Sequence, residues 1–554
     1  MSWLKRLQWN LNPVGLGFGA VGLLLSLTPS LLPRDGVLQG LVSGLVFGIS
    51  YAIGTGFSRL FERLTKWRPS AKARRWGRIV GWPLFAMLLV VSGFAGAAAQ
   101  EEVRRMVELP PMPGVDILGF VLAMVAASLL CLGIGWLVRS AWRRALVRMT
   151  KDGRTRGRAV RLATIRTTVA SVLVLALLGW LFFLAMDRQY LASNGHPDPD
   201  LSEPDSTYRS AGPASEVKFD QLGRQGGNFI AGGPTAVEIA KATGGPAMTP
   251  IRVYVGVAAG GTMQDRAAVA VRELERTGAF DRDVLVVATT TGTGWLEPQA
   301  VDAVEYLHSG NTAIVALQYA YTPSFVSSLT APELPIEATT ALFDAVHAKW
   351  ATLPADNRPE LVLYGLSLGS QGILNSFGTL DAMVESTDGA VLVGPTNTTP
   401  LWRELQQTRD AGSPPWQPVR EEGRQVRWAS GFGDFDKLTG PWDAPRIAIL
   451  QHATDPITWL GPELLWSRPD WLTDGNRAPD VSPSMRWIPV VTAVQVTLDM
   501  AMSTAVPARH GHNFGDVMLQ GWQAVTGDGS LDQAALDRVQ AVLEDYAYIR
   551  PFEN

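Results

Sequence analysis

Five long apolar stretches occupy most of the first 186 residues. They lie at 14–33, 38–56, 78–98, 115–138 and 167–186. Each is close to the ~20 residues that a helix needs to cross a hydrocarbon core of ~30 Å. A buried core helix is the alternative for any one stretch, but five in succession have no soluble domain between them to pack into. The first is too long for a signal peptide and has no small-residue cleavage site. We therefore predict an all-α membrane domain of five transmembrane helices over residues 1–186.

Two strongly basic loops predict the orientation of this domain. The loop between the second and third stretches carries Arg59, Arg63, Lys66, Arg68, Lys72, Arg74 and Arg75 against Glu62. The loop between the fourth and fifth carries Arg139, Arg143, Arg144, Arg148, Lys151, Arg154, Arg156, Arg158, Arg161 and Arg166 against Asp152. Lys and Arg are retained on the cytoplasmic side, so both loops, and an N-terminus with Lys5 and Arg6, are predicted inside. Five spans then place everything after Met186 outside. A lipid-headgroup or partner site is the alternative role for a basic loop.

Charge and cysteine content exclude two further classes of protein. The net charge is −3, and the basic residues crowd into the two loops rather than one soluble face, so nucleic-acid binding is not expected. The single cysteine, Cys131, lies inside an apolar stretch, so no intramolecular disulfide can form. An exported domain must therefore be held together by its own core.

A polar linker and an α/β pattern follow the membrane domain. Residues 187–215 are rich in Pro, Asp and Ser and are predicted to be a linker, and the glycine-rich stretch 223–233 to be turns. Apolar strands are predicted at 251–257, 283–289, 312–320, 361–365, 389–395 and 446–452, with helices between them. Such alternation indicates a mostly parallel sheet with helices on both faces, here assigned to residues 216–554. Ligands bind beyond the carboxyl ends of such strands.

One serine motif stands at such a strand end. Gly365-Leu366-Ser367-Leu368-Gly369 follows the apolar strand and opens a helix. This strand–turn–helix context is typical of a nucleophile elbow, in which small neighbours allow a sharp turn that exposes the serine. The alternative is an ordinary Gly-Ser turn. We interpret Ser367 as the nucleophile of an α/β-hydrolase fold.

An acid and a base must follow Ser367 in that order along the chain. Asp455 follows the strand at 446–452 and is the predicted acid, in preference to Asp434 and Asp436, which no clear strand precedes. The base is sought among the histidines after Ser367. They are His452, His510 and His512. His512 is preferred because its N-terminal neighbour is small, and His510 is the alternative. A metal site built from His452, Asp455, His510 and His512 is a further alternative, but it leaves the serine motif unexplained.

Two loops and two insertions complete the predicted site. An oxyanion hole needs two backbone amides, assigned to Leu368 and to Gly292 and Thr293 in the glycine-containing loop after the second strand. An ordinary glycine turn is the alternative for that loop. The tryptophan-rich insertion 396–445 is predicted to be a lid, and a second insertion covers 459–505. No cofactor or metal is expected.

The chain resembles a bacterial family of membrane-anchored α/β-hydrolases with an N-terminal multi-spanning region. The resemblance rests on RVYVGV, RELERTGAFDR, TGTGWLEP, EYLHSG, YGLSLGSQG, QHATDPITW, SMRWIPVVT and HGHNFG, and covers most of the chain. It implies hydrolase chemistry at Ser367 and leaves the substrate open. Arg509 stands where the family pattern has glycine.

These features predict a membrane-bound serine esterase or lipase whose partners are the bilayer and a lipid ester of the cell envelope. An acyltransferase with the same three residues is one alternative. A transport or scaffold protein with a hydrolase-like binding domain is another, and it would not react with a fluorophosphonate probe. The acyl chain, the head group and the oligomeric state are left open by the sequence.

Overall fold

The computed structural model describes residues 11–66, 70–112, 114, 116–195, 197–527 and 531–548. These residues form two compact units. The helical unit comprises Met1–Phe183, Pro462–Leu472 and Pro479–Met502. The α/β unit comprises Leu184–Gly461, Thr473–Ala478 and Ser503–Asn554.

The elements follow in chain order. The helices are α1 Pro13–Leu25, α2 Gly36–Thr65, α3 Ala71–Met106, α4 Ile117–Lys151, α5 Arg156–Asn194, α6 Gly223–Ala231, α7 Ala236–Thr243, α8 Met263–Thr277, α9 Pro298–Leu307, α10 Ser324–Thr330, α11 Leu334–Trp350, α12 Leu368–Phe377, α13 Leu380–Ser386, α14 Pro400–Gln407, α15 Pro456–Trp459, α16 Val491–Asp499, α17 Met518–Thr526 and α18 Gln533–Glu544. The strands are β1 Ile251–Val255, β2 Val284–Thr289, β3 Thr312–Leu317, β4 Glu360–Leu366, β5 Gly389–Val393, β6 Val426–Ala429 and β7 Arg446–Leu450.

Four helices of the described chain are long and apolar enough to cross a membrane. They are α2, the part of α3 at Ile79–Met106, α4 and α5. The first apolar stretch forms only α1, whose 13 residues span about 20 Å, because Pro29 and Pro33 lie in the segment that follows it. The predicted count of five spanning helices is therefore not confirmed. Glycines of α1 pack directly against α2, with Gly15 against Thr55 and Gly22 against Ser50.

The second insertion contributes a helix to the helical unit. Val491 at the start of α16 packs against Val42 and Val46 of α2 in one buried cluster. One turn further, Gln495 Nε2 donates hydrogen bonds to the carbonyl of Thr28 at 2.8 Å and to that of Ser26 at 3.2 Å. These contacts satisfy carbonyl groups that the end of α1 leaves without partners.

A buried ion pair fixes the far end of α16. Arg34 Nε lies 3.3 Å from Asp499 Oδ1, and both side chains are fully buried. Asp499 Oδ2 accepts hydrogen bonds from the Ser30 hydroxyl and, at 3.2 Å, from the Leu31 amide. Much of the second insertion thus belongs to the helical unit, although its sequence lies within the segment predicted as one domain, 216–554. Local patterns give no sign of this, because the partners are more than 460 residues apart.

The α/β unit is built on a seven-stranded sheet of order β1-β3-β2-β4-β5-β7-β6 in the described residues. Every neighbouring pair of strands is parallel, and almost every strand residue is buried, as the apolar strand pattern predicts. The six predicted strands are confirmed. The seventh strand, β6, lies inside the insertion predicted to be a lid and extends the sheet edge, and a lid role is not confirmed.

The segment before β1 is more ordered than its composition indicates. The glycine-rich stretch 223–233 forms α6 rather than turns, so that prediction is wrong. The reason is packing, since a Cβ at Gly226 would lie 2.3 Å from the Tyr254 ring and only glycine allows the helix to approach β1. Within the predicted linker, α5 continues to Asn194, and Arg209 forms a parallel bridge with Arg252 of β1.

Candidate active site

Ser367 lies at the sharp turn between β4 and α12. Its backbone has φ 56° and ψ −114°, a conformation that a non-glycine residue adopts only under strain. The Ser367 amide donates to the carbonyl of Val393 in the neighbouring strand at 2.9 Å, and its carbonyl accepts from the Gln371 amide. Sheet and helix therefore hold the turn from both sides.

The two glycines of the motif are required by space. A Cβ at Gly365 would lie 2.5 Å from the carbonyl carbon of Gly369, so the strand and the helix could not meet. A Cβ at Gly369 would lie 2.2 Å from the carbonyl oxygen of Thr289 at the end of β2. The helix after the serine thus packs on the strand end that begins the predicted oxyanion loop.

Asp455 is fully buried at the carboxyl end of β7, at the start of α15. Its Oδ1 accepts from the Ile457 amide at 2.8 Å, and its Oδ2 accepts from the Thr458 hydroxyl at 3.2 Å. Oδ2 also lies 2.6 Å from His512 Nδ1, which donates to it. Three donors therefore fix the carboxylate and direct one oxygen at the imidazole. This bond holds the His512 tautomer with Nε2 free to accept a proton.

The loop that carries His512 is held in an unusual backbone conformation. Gly511 has φ 56°, and a Cβ there would lie 2.4 Å from the Ser503 carbonyl. The His512 amide donates to that same carbonyl at 2.6 Å. Arg509 also has a positive φ, 77°, a conformation that glycine adopts more readily than other residues.

The aspartate loop and the histidine loop are joined by further bonds. The Gly511 amide donates to the Thr454 hydroxyl at 2.9 Å, and His452 Nδ1 donates to the Gly511 carbonyl at 3.0 Å. The His452 ring stacks on Phe514 with ring centroids 4.1 Å apart. His452 thus serves to hold the loop of His512 in place, a role that the sequence did not indicate.

Gly394 connects the serine turn to the His512 ring. It follows Val393, whose carbonyl binds the Ser367 amide, and its own amide donates to the Leu450 carbonyl at 2.8 Å. A Cβ at Gly394 would lie 2.5 Å from His512 Cε1. The imidazole therefore rests directly on the strand end next to the serine. Sequence analysis missed Gly394, since one glycine after a strand carries no signal.

The comparisons with known proteins bear on this arrangement. A family model described as "Alpha/beta-hydrolase family" matches residues 251–539. The chain belongs to the alpha/beta-hydrolase family. A second model, for the N-terminus of an alpha/beta-hydrolase family, matches residues 27–234. No curated protein and no solved structure matches the chain. The resemblance that the sequence motifs indicated is confirmed, including its N-terminal region.

The loop expected to form the oxyanion hole of this alpha/beta-hydrolase begins at Thr290. The Gly292 amide donates to the Ser324 hydroxyl at 3.3 Å, and the Thr291 amide to the Trp295 carbonyl at 3.0 Å. The backbone hydrogen bonds of the described loop include neither the Thr290 amide nor the Thr293 amide. The Leu368 amide is the first of α12 and has no acceptor within its helix. Burial raises the pKa of Glu297, which follows this loop, to about 8, so its carboxyl adds no negative charge near neutral pH.

The remaining polar candidates have other partners. Asp434 accepts from the Ser430 and Gly431 amides at 2.8 Å and pairs with Lys437. His510 and His512 both lie in the loop before α17, and it is His512 that faces Asp455. In the part of the chain that the structure describes, no group of three or more His, Cys, Asp or Glu side chains is arranged to hold a metal ion.

Proposed function

We propose that this alpha/beta-hydrolase is a membrane-bound serine hydrolase that cleaves a carboxylic ester, with Ser367 as nucleophile, His512 as base and Asp455 as the residue that orients the base. The observation that carries the proposal is the conjunction of a strained serine turn with a buried His512–Asp455 pair beside it. A structural serine would not require a φ of 56° between two glycines that no side chain could replace.

The proposed reaction proceeds in two halves. His512 Nε2 takes the proton of the Ser367 hydroxyl as its oxygen attacks the ester carbonyl carbon. The oxyanion is stabilised by the Leu368 amide and, at the second position, by an amide of the loop after β2, that of Thr293 or of Thr290, since the Gly292 amide donates to Ser324. Collapse releases the alcohol, which receives the proton from His512. Water then attacks the acyl-enzyme by the same route, and the acid product leaves.

His512 Nε2 is buried and has no hydrogen-bond partner among the described residues. The Ser367–His512 hydrogen bond therefore belongs to the substrate complex in this proposal, since catalytic hydrogen bonds often tighten only when substrate is bound. Asp455 orients the ring and favours the tautomer that carries its proton on Nδ1, and it stabilises the imidazolium that forms during attack.

The proposed substrate is a lipid ester of the cell envelope, and the proposed location of the α/β unit is the extracytoplasmic side. Arg34 precedes α2 and contacts Asp499, and Glu102 follows the apolar part of α3 and contacts Ser482. These contacts join the second insertion to the start of α2 and to the end of the apolar part of α3. Both of these helix ends lie opposite the two basic loops, which supports a location of the insertion on the side of the membrane away from those loops. Reporter fusions after Asn194 should be active only where the reporter functions outside the cytoplasm, and an active cytoplasmic reporter there would overturn this orientation.

The chemistry is tested by covalent labelling of the purified full chain with a fluorophosphonate probe. Wild type should be labelled and Ser367→Ala should not, because no attacking oxygen remains. Ser370→Ala is the matched control, since this buried hydroxyl lies one turn along the same helix and has no hydrogen-bond partner in the described chain. Asp455→Asn should be labelled up to about 10⁴-fold more slowly. Turnover of an ester by Ser367→Ala at the wild-type rate would refute the proposal.

A further inference from the structure

A short helix beside the site exposes two large apolar side chains. In α10, Phe325 is 46 % exposed and Leu329 is 71 % exposed. Their spacing of four residues places them on one face of the helix. Val326 and Ser327 on the other face are buried. This exposed apolar face is a candidate contact surface, and its place in the fold decides what it could contact.

The segment that leads into α10 is bonded to the end of α5. Asp187 is the first charged residue after an uncharged run of 20 residues, 167–186, and so marks the place where α5 leaves the hydrocarbon. The Tyr321 hydroxyl donates to Asp187 Oδ1 at 2.9 Å. Two turns further along α5, Asn194 Oδ1 accepts from Gln318 Nε2 at 3.0 Å. The segment 318–321 is thus held against the two helical turns that follow the membrane exit.

The position of α10 is limited by this attachment. Leu329 lies eight positions after Tyr321, and six of these eight steps are helical, so the Leu329 Cα lies within roughly 16 Å of the Tyr321 Cα. No Asp, Glu, Lys or Arg occurs between Glu305 and Glu333, so no charged side chain of this segment opposes contact with lipid. The membrane region nearest to this face is the interfacial layer that adjoins the hydrocarbon where α5 leaves it, and apolar side chains that enter this layer reach the acyl chains beneath the headgroups.

The same helix also contacts the loop beside the serine turn. Ser324, the first residue of α10, accepts the hydrogen bond of the Gly292 amide at 3.3 Å. A Cβ at Gly292 would lie 2.7 Å from the Thr322 carbonyl, so the two segments pack closely. Thr289 and Thr290 at the start of that loop adjoin Gly369 of the serine motif. One continuous set of contacts therefore runs from Asp187 through α10 to the candidate active site.

We propose that α10 is the element with which this enzyme contacts the bilayer, and that Phe325 and Leu329 enter the interfacial layer of the leaflet from which α5 emerges. The occupant of the apolar face is the lipid surface. Through its contact with the Gly292 loop, α10 brings the site to the lipids, so that an ester substrate reaches Ser367 directly from the leaflet. The delivery of an ester substrate to Ser367 rests on the proposed function, whereas the contact of α10 with the bilayer does not.

Membrane contact is measured first, without reference to activity. A nitroxide is attached at Leu329→Cys in a Cys131→Ser background, which removes the single native cysteine. The full chain is reconstituted in vesicles of phosphatidylethanolamine and phosphatidylglycerol. The label at 329 should be relaxed more by oxygen than by a water-soluble nickel complex. A label at Val237→Cys in α7, which is 78 % exposed, is the matched control and should show the reverse. Nickel accessibility at 329 equal to that at 237 would overturn the inference.

Substrate delivery is measured with the double variant Phe325→Ser/Leu329→Ser. Hydrolysis of a soluble short-chain ester should stay within about twofold of wild type, while kcat/KM for an ester lipid in vesicles should fall about 10- to 100-fold, mainly through KM, given the apolar area withdrawn from lipid. Val237→Ser should change neither. An equal loss on both substrates, or no loss on lipid, would refute the delivery role.

A wild-type chain that fails to label at Ser367 would instead refute the proposed function, and the nitroxide result would still decide whether α10 contacts the bilayer.

Discussion

Gly394→Ala tests the geometry of the proposed site without removing any functional group. The added Cβ would lie 2.5 Å from His512 Cε1, 2.9 Å from Phe514 Cε2 and 3.0 Å from His512 Nδ1. The imidazole must therefore move by about 1 Å to restore ordinary contact, and a displacement of that size costs on the order of 10²-fold in rate when the group is catalytic. We expect phosphonate labelling of Ser367 to slow by about that factor.

The control for this variant is a glycine that also has a positive φ but at which an added Cβ would contact no other atom. Gly394 has φ 52°, so alanine there is strained by roughly 1 kcal/mol apart from any contact. Gly378, at the end of α12, has φ 70°, and a Cβ there would meet no atom within 4 Å. Gly378→Ala should therefore lose similar stability and keep its labelling rate.

The assay compares the second-order labelling rate and the thermal unfolding midpoint of the three proteins in detergent. A Gly394→Ala protein that is folded, as stable as Gly378→Ala and labelled at the wild-type rate would refute the argument. In that case His512 either is not the base or does not depend on its contact with the strand end.

Three further predictions follow from named contacts. His512→Ala should lose nearly all labelling while His510→Ala keeps a measurable part, and the reverse result would identify His510 as the base. Arg34→Met or Asp499→Leu should each cost about 3–5 kcal/mol, because a buried charge loses its partner, and the double variant Arg34→Met/Asp499→Leu should recover much of the loss. Additive losses of unfolding free energy would exclude this coupling. Burial, with a smaller contribution from a neighbouring carboxylate, raises the pKa of Glu360 to about 7, so its contribution to stability is complete below pH ~4.5 and is lost as pH rises through 7. Glu360→Gln should match wild type near pH 4 and exceed it in denaturant titrations at pH 8, and equal stability at both values would contradict the shift.

The sequence predicts the elements that local patterns specify. The helix predicted between the first two strands is α8, where Thr262 and Asp265 form a capping box at its start and Gly278 ends it in a left-handed conformation. The strands that pair along the sheet were likewise recognisable as short apolar runs. The serine motif could be recognised because its glycines serve a local steric purpose.

The features that the sequence did not predict depend on distant contacts. The strand β6 is a four-residue segment in a polar, tryptophan-rich insertion. It forms a strand because it pairs with the edge of the sheet. The glycines of α6 oppose a helix in isolation, and the close approach to Tyr254 offsets that cost. The contact of Gly394 with His512 joins positions more than 100 residues apart. The catalytic roles of Ser367, Asp455 and His512 stay predictions until they are tested.

The ion pair of Arg34 and Asp499 has a consequence for biogenesis. At a synthesis rate of roughly 5–20 residues per second, Arg34 emerges from the ribosome some tens of seconds before Asp499. During that time the segment after α1 holds a charge without its partner, next to helices that are long and apolar enough to cross a membrane. The helical unit can be completed only when α16 arrives, close to the end of translation. Completion of the helical unit therefore waits for a segment close to the C-terminal end of the chain, and a chain truncated before residue 491 would present quality-control proteases with an unfinished helical unit.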